Sequence, residues 1–416
     1  MGTATREAQA EQREELLDAA WAVAARDGLG ACTYRNAAAE AGTSTTPFVQ
    51  RFPTRQDLLK ALFSKLSAAF DEAREAEKLP SGPLEAIVAE GAGVLADDQA
   101  SAARRRISLD LAFEGLRDGA IGRGVRERER EREGRWRALV DQGRARGKIR
   151  DDRPAEEVVD QLGSLLDGLA LATLIYPRRL PPAHVRGLWE HGARRLADPR
   201  ISLGVYQRLI VAEGPPARSL LLGDPEVTRR QELLAVAVRG TAREGLAGLS
   251  FRALAEEAGT STTPFTYAFG SREQLLAEMV RATWAGVFGI RELASRIVSP
   301  VDRFFAEWAA ELSDDSEQVD RERVYYELHH EALSDEALAA LVREGDQQGF
   351  MESLELVEAG REQGLVREDL PAGDLVDTLY AMVDGIALRR ALLSEKRPAG
   401  YRVALWEDAG RRILAP

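Results

Sequence analysis

A single cysteine, four histidines and the lack of any long apolar run set the first limits on this 416-residue chain. One thiol, Cys32, cannot form an internal disulfide framework, and without paired Cys/His spacing it cannot build a structural zinc site. A reducing, cytoplasmic setting fits that usage. Residues 1–15 are polar, with no apolar h-region, and no stretch approaches the roughly 18 apolar residues of a membrane span, so an unexported cytoplasmic protein with no membrane partner is expected. There is no Gly-rich phosphate loop, no G-x-S-x-G elbow, no H-E-x-x-H pair and no thiol nucleophile with a partner. So few imidazoles also leave little acid–base capacity near neutral pH. The sequence predicts no enzyme, no cofactor and no metal. An excess of positive charge is missing too: 56 basic residues against 68 acidic give a net charge of -12. Any contact with nucleic acid must therefore be local and made by placed residues.

What is present is a repeat. Residues 13–59 align without a gap on 230–276, with 24 of 47 positions identical at an offset of 217. The block Ala41-Gly42-Thr43-Ser44-Thr45-Thr46-Pro47-Phe48 recurs unchanged over 258–265, and the offset persists at Gly147/Gly364, Asp167-Gly168/Asp384-Gly385 and Leu188-Trp189-Glu190/Leu405-Trp406-Glu407. Unrelated helical segments do not hold one register over that distance, so nearly the whole chain is a tandem duplication. Between the copies, Gly214-Pro215-Pro216 and Gly223-Asp224-Pro225 mark a linker, and its apolar runs over 205–211 and 220–222 predict that it packs on the body.

Within one copy, Leu16, Leu17, Ala20, Val23 and Ala24 recur at helical spacing and Gly28 supplies a stop, predicting a helix over 13–27. Thr33 is an N-cap for a short second helix ending at Gly42, and a third starts at Ser44 with Pro47 in its first turn. A fourth starts at Thr54, with Asp57 three residues on; its counterpart is the capping box Ser271/Gln274. Two short helices about a Gly turn, the second rich in hydroxyls, form a helix-turn-helix whose second helix fits a DNA major groove. Its outward side carries Thr45, Thr46, Val49, Gln50 and Arg51 in copy one, and Thr262, Thr263, Thr266, Tyr267 and Ala268 in copy two. Arg55 and Arg272 begin the next helix, placed for phosphate. Residues 13–60 hold six basic and six acidic side chains, so this is no basic patch; short Ala/Gly-rich helices also serve simply as packing.

The run from Thr33 to Ser44, then Phe48, Phe52, Thr54-Arg55 and Leu58-Leu59, repeated over 250–276, resembles the TetR family of bacterial repressors. The resemblance implies that Thr33 and Ser250 touch phosphate, that Arg35 and Arg252 reach a base or the backbone, and that Arg55 and Arg272 replace the family's phosphate-binding lysine. It also implies a dimer joined through the last two helices. Two departures stand out: Val49 and Thr266 occupy a position where the family often has tyrosine, and Pro47 and Pro264 one where it has a small residue.

The expected fold is all-α: two tandem TetR-like repeats in a pseudo-two-fold arrangement, each a three-helix helix-turn-helix domain with a helical ligand-binding body. Helix-turn-helix domains are assigned to 1–60 and 227–277, bodies to 61–198 and 278–416, and a linker to 199–226. Helices over 155–175, 182–196, 372–393 and 401–414 should form an intrachain four-helix seam. The expected partners are a DNA operator with two related, non-identical half-sites, because Gln50-Arg51 differs from Tyr267-Ala268, and a small effector. Copy two is richer in aromatic residues, including Phe288, and Trp308, Tyr325, Tyr326, His329, His330, Gln347, Phe350 and Tyr380 are its candidate effector contacts. His329 and His330, adjacent on a helix, point about 100 degrees apart and rarely share an ion. The alternating Arg/Glu run over 126–133 reads as a solvated helix face. The monomer would act as a repressor released by an apolar or aromatic effector. The alternative is a ligand-binding regulator that acts through protein contacts, its helix-turn-helix degenerate.

Overall fold

The computed structural model describes residues 3–76, 78–201, 203, 229–393 and 397–416, and for 3–7, 285–293 and 317 the backbone alone. The expected linker, its apolar runs and the Phe288 side chain thus fall largely outside the described residues. No strand occurs among the described residues. Copy one supplies α1 (Thr3–Asp27), α2 (Tyr34–Glu40), α3 (Thr45–Arg51), α4 (Arg55–Ala76), α5 (Pro83–Val94), α6 (Gln99–Glu114), α7 (Gly119–Ala145), α8 (Ala155–Ile175) and α9 (Pro182–Ala197). Copy two supplies α10 (Arg229–Glu244), α11 (Phe251–Glu257), α12 (Thr263–Phe269), α13 (Arg272–Ala294), α14 (Pro300–Glu311), α15 (Ser316–Ala332), α16 (Glu336–Glu362), α17 (Ala372–Leu393) and α18 (Tyr401–Leu414), with a 3₁₀ turn at Leu246–Gly248. The two series run in the same order.

The chain forms two compact units, one of residues 1–143 and 177–187, the other of 144–176 and 188–416. The division does not follow the sequence repeat: α8 and the end of α9 come from copy one but belong to the unit that holds copy two.

In the first unit, α1 starts ten residues before the predicted Arg13. Residues 8–15 of this extension are exposed and rich in Glu, Gln and Ala, good helix formers that need no core contact. From Leu16 onward the helix buries Leu16, Leu17, Ala20, Val23 and Ala24 against Phe48, Phe52, Leu58 and Leu59. Gly28, at φ +85°, ends it in the left-handed region. Cys32 is buried, its Sγ 3.4 Å from the Ala20 carbonyl, and burial pushes the thiol up to about 11, so it is an inert core residue. The Arg/Glu run on α7 is less solvated than expected: Arg128 lies 4.2 Å from the Phe70 ring centroid and Arg132 lies 5.4 Å from that of Trp136. Their stems cover apolar surface while their charge faces a ring.

In the second unit, α8, α17, α18 and the end of α9 pack as the expected four-helix seam. Sixteen residues of α8 are buried, among them Val158, Leu162, Leu165, Leu166 and Leu169. Each such large apolar side chain contributes about 1.5–3 kcal/mol. α8 and α17 touch backbone to backbone where Gly168 and Gly385 stand. A Cβ on Gly168 would lie 1.8 Å from the Ala381 carbonyl oxygen, and one on Gly385 would lie 1.7 Å from that of Ser164. At the 217-residue offset Gly168 becomes Gly385 and Ser164 becomes Ala381, so each contact is the image of the other, as a two-fold axis requires.

Polar groups in the seam do not repeat so faithfully. Arg150 is buried against Asp408 at 2.7 Å, and Gln161 and Arg412 also reach that carboxylate. Burial pushes Asp408 up, but Arg150, Gln161 and Arg412 outweigh it and hold the carboxyl below its ordinary range. At the image position Arg367 donates to Nε2 of His191 at 2.6 Å. That bond needs a neutral imidazole, and burial together with Arg367 pushes the His191 pKa down. By length and composition α8 could cross a membrane, but 83% of its apolar window is buried inside the protein.

Candidate nucleic-acid interface and ligand cavity

Each helix-turn-helix is set by local chemistry. In copy one the Thr33 hydroxyl accepts from Asn36 N–H at 3.2 Å, the turn passes Gly42 at φ +62°, and Thr54 and Asp57 bond each other at the start of α4. In copy two Ser250 accepts from Ala253 N–H at 3.2 Å and Gly259 has φ +61°. Under the reading helices, Tyr34, Phe48 and Phe52 form one aromatic row and Phe251, Phe265 and Phe269 its repeat, with centroids 6.2–6.5 Å apart. Arg13 and Arg230 lie over the last ring of each row, at 5.1 and 5.2 Å. The rows bury the inner face of α3 and α12 and leave the outer face to solvent.

Thr33, Arg35, Thr45, Thr46, Gln50 and Arg55 are exposed in copy one, as are Ser250, Arg252, Thr262, Thr263 and Tyr267 in copy two. Tyr267 stands out at 94% exposure. Arg35 and Arg252 make no ion pair among the described residues. Two of the predicted contacts sit differently. Arg51 is half-buried and turned back on α1, donating to Gln12 at 3.0 Å. Arg272 is half-buried beside Glu331 at 3.1 Å, just as Arg55 pairs with Glu114 at 2.8 Å.

Those pairs expose a link that sequence reading missed. In both copies one helix of the body holds the helix-turn-helix through two carboxylates. On α6, Asp110 accepts from Leu29 N–H at 2.7 Å and Glu114 pairs with Arg55. On α15, Glu327 accepts from Leu246 N–H at 3.1 Å and Glu331 pairs with Arg272. The residues match at the offset of 217, although Asp110 is exchanged for Glu327. An acidic residue repeated at one register on an otherwise diverged helix was the available signal.

The other face of α15 lines a cavity of about 60 Å³. Gln318, Arg321, Glu322, Tyr325 and Tyr326 follow i, i+3, i+4, i+7, i+8 spacing, and Trp284, Trp308, Glu311, Val383 and Asp384 complete much of the wall. Of the predicted effector contacts, Trp308, Tyr325 and Tyr326 line it. The others do not. His329 packs on the Tyr325 ring at 3.8 Å with Nε2 3.4 Å from Asp346, and burial lowers its pKa to about 4. Asp346 is also approached by the hydroxyls of Tyr176 and Tyr325. Tyr380 backs onto Trp308 with centroids 4.8 Å apart, Phe350 packs on Tyr380, Gln347 is exposed and His330 is half-buried. Among the cavity carboxyls, burial pushes Asp384 and Glu322 each up to about 7. Asp384 accepts from the Tyr326 hydroxyl at 3.1 Å, and Glu322 holds Arg390 by two bonds.

Two family models match this architecture. The C-terminal domain of the BetI-type transcriptional repressor matches residues 83–198 and again 300–415, and the bacterial regulatory proteins, tetR family, match 233–279. The chain belongs to the TetR family. The two TetR C-terminal matches lie at the same offset of 217 as the sequence repeat, which makes the protein a tandem TetR regulator. No curated protein matches the chain. Similar solved structures include a TetR-family regulator from Rhodococcus sp., 23% identical over 43% of this chain and 95% of that one, TM-score 0.39. Another, a transcriptional regulator from Rhodococcus sp. Rha1, is 20% identical over 46% and 99%, TM-score 0.41. A third, a regulator from Saccharomonospora viridis in complex with choline, is 23% identical over 42% and 92%, TM-score 0.39. TetR proteins are DNA-binding transcriptional regulators and not enzymes, and that is the class of this protein.

Proposed function

We propose that the protein is a single-chain repressor of the TetR family, in which two helix-turn-helix domains read two related but unequal half-sites and a small apolar or aromatic effector in the copy-two cavity releases the DNA. In this reading 1–60 and 227–277 contact DNA in the cytoplasm, 61–198 and 278–416 are effector and dimerisation-like bodies, and 199–226 joins them. The observation that supports it most is the reciprocal contact of Gly168 with Ala381 and Gly385 with Ser164, the packing that two separate chains would otherwise have to find by association. Covalent joining removes the concentration dependence of that step.

Thr33, Arg35 and Arg55, with Ser250, Arg252 and Arg272, are assigned to phosphate and backbone contacts. Thr45, Thr46, Gln50 and Arg51, with Thr262, Thr263 and Tyr267, are assigned to base edges. Arg51 reaches DNA by leaving Gln12. The differing side chains at 50 and 267 make the half-sites unequal. Effector coupling runs through α15, which walls the cavity with one face and holds Leu246 and Arg272 with the other. A ligand that binds better when α15 is displaced must weaken DNA binding by the same free energy.

Selection of bound sequences from a random DNA pool, with the stoichiometry of the winning complex read by light scattering, tests this. One chain on an asymmetric pair of half-sites is expected. A perfect palindrome, or two chains per site, would count against it, and absence of any enriched sequence would favour a regulator that acts through protein contacts.

A further inference from the structure

We propose that the copy-two cavity binds a small aromatic carboxylic acid, and that Arg321 is the residue that receives its carboxylate; the assignment rests on reading this cavity as the effector site. Among the described residues, from which the Glu317 side chain is absent, the cations around the cavity are matched except one. Glu322 is held by Arg390, whose Nε lies 2.8 Å away and whose Nη1 also donates to the Ser313 carbonyl at 2.6 Å. Glu311 accepts from the Gln318 amide at 2.5 Å, and Asp384 from Tyr326. Arg321, only 8% exposed, donates through Nη2 to the uncharged Gln318 amide oxygen, its Nη1 has no acceptor, and among the described residues no carboxylate lies within ion-pair distance of it. A buried guanidinium without a counter-ion among the described residues is an arrangement that folding alone does not favour. Its planar fork is shaped for a carboxylate, which would supply the missing charge and acceptors together.

The rest of the wall defines the body of the ligand. Trp284 meets Tyr325 edge-on at 6.0 Å and Tyr325 meets Tyr326 edge-on at 5.1 Å, so ring faces and edges alternate around the space, and Trp308 adds a fourth aromatic. Such walls suit a flat apolar ring, and a volume of about 60 Å³ leaves no room for a second one, so the ring enters by moving part of the wall. An organic cation is a poorer fit. Each lining carboxyl already has a donor, and burial raises Asp384 to about 7, which halves its charge near neutral pH. Copy one differs at the same register. Arg104 replaces Arg321 but donates to Ser101 and lies over Phe70, and the four aromatics are replaced by Ser67, Gly91, Ser108 and Leu109. One ligand per chain follows.

Calorimetry on the full chain with benzoate, phenylacetate and 3-phenylpropionate, against the matching amides and against benzyltrimethylammonium, tests the assignment, with tryptophan fluorescence as the second readout. The acids should bind one per chain and at least about tenfold more tightly than their amides, the discrimination that one charge-assisted pair supplies. Arg321→Gln should erase that preference without weakening the amides, and Arg104→Gln should change neither. Arg321→Met in the absence of ligand should raise the melting temperature, by about 2 °C, because it removes a buried unpaired charge. A fall would assign Arg321 to structure and overturn the proposal. Acid and amide binding equally, or the ammonium binding best, would overturn the carboxylate while leaving the cavity an effector site. No binding by any of the three sets would overturn the effector site itself.

Discussion

At the scale of single residues, exposure separates what holds the fold from what is free to meet DNA. Tyr267 is 94% exposed on α12, whereas Phe265 and Phe269 on the same helix are buried. Truncating Tyr267 should leave stability within about 0.5 kcal/mol of wild type, because no packing is lost. Tyr267→Ala should nevertheless weaken operator binding by about 1–3 kcal/mol, and only through the half-site that copy two reads. Paired urea melts and mobility shifts on operators altered in one half or the other will check this; an equal loss through both halves would remove Tyr267 from base reading. Residue-level expectations from the sequence were uneven for a physical reason. Thr33 and Ser250 were legible as caps because capping is decided within four residues of chain. Helical spacing turns Arg51 outward, yet it lies against Gln12, a contact made by a stretch of α1 that the apolar pattern does not reveal. Five of the eight candidate effector residues lie away from the cavity, since composition shows that aromatics are present but not which of their faces borders a void.

At the scale of helices, the seam elements were the most legible. The helices over 155–175, 372–393 and 401–414 have the predicted ends, and α9 runs one residue further. Breakers, caps and a continuous apolar face agree there, so local and tertiary preferences coincide. What periodicity could not supply is the distance between helices. That is set by Gly168 and Gly385, where the absence of a side chain brings two backbones into contact. Gly385→Ala would drive a methyl into the Ser164 carbonyl and force α8 and α17 apart, and a loss of at least about 3 kcal/mol is expected from denaturant unfolding. A loss below about 1 kcal/mol would mean that the helices do not pass this closely. The tether from α15 to Leu246 and Arg272 was equally hidden, because each carboxylate meets a partner 59 or 81 residues away in the chain and Asp110 is matched by a glutamate.

At the scale of the whole molecule, stability responds to pH through groups of opposite sign. Asp384 and Glu322, raised to about 7, take up protons in the folded state as pH falls below about 7 and so favour folding on acidification. His329, lowered to about 4, and His191, also lowered, act the other way. Their contribution is present above the ordinary imidazole value of about 6.5 and is lost as pH falls through the folded value. A difference measurement isolates one of them. His191→Gln should gain stability relative to wild type on going from pH 7.5 to pH 5, in denaturant melts run at both. A constant difference across that window would show that His191 does not bind Arg367 as a neutral acceptor.

The mismatch of Asp408 with His191 also bears on inheritance. In an ordinary homodimer a single codon change reaches both sides of the axis at once, so a seam cannot carry aspartate on one side and histidine on the other. Here each codon is read into one side only. A change that spoils one half of the binding surface leaves the other half as it was, and selection can then refine the two halves for different tasks. If the gene were cut between the copies, the first product pairing with itself would set Arg150 against His191 twice and have no Asp408 at all. The fused gene thus keeps two kinds of seam pair in one molecule, an ion pair at Asp408 and a neutral acceptor at His191, that neither half pairing with itself could hold together.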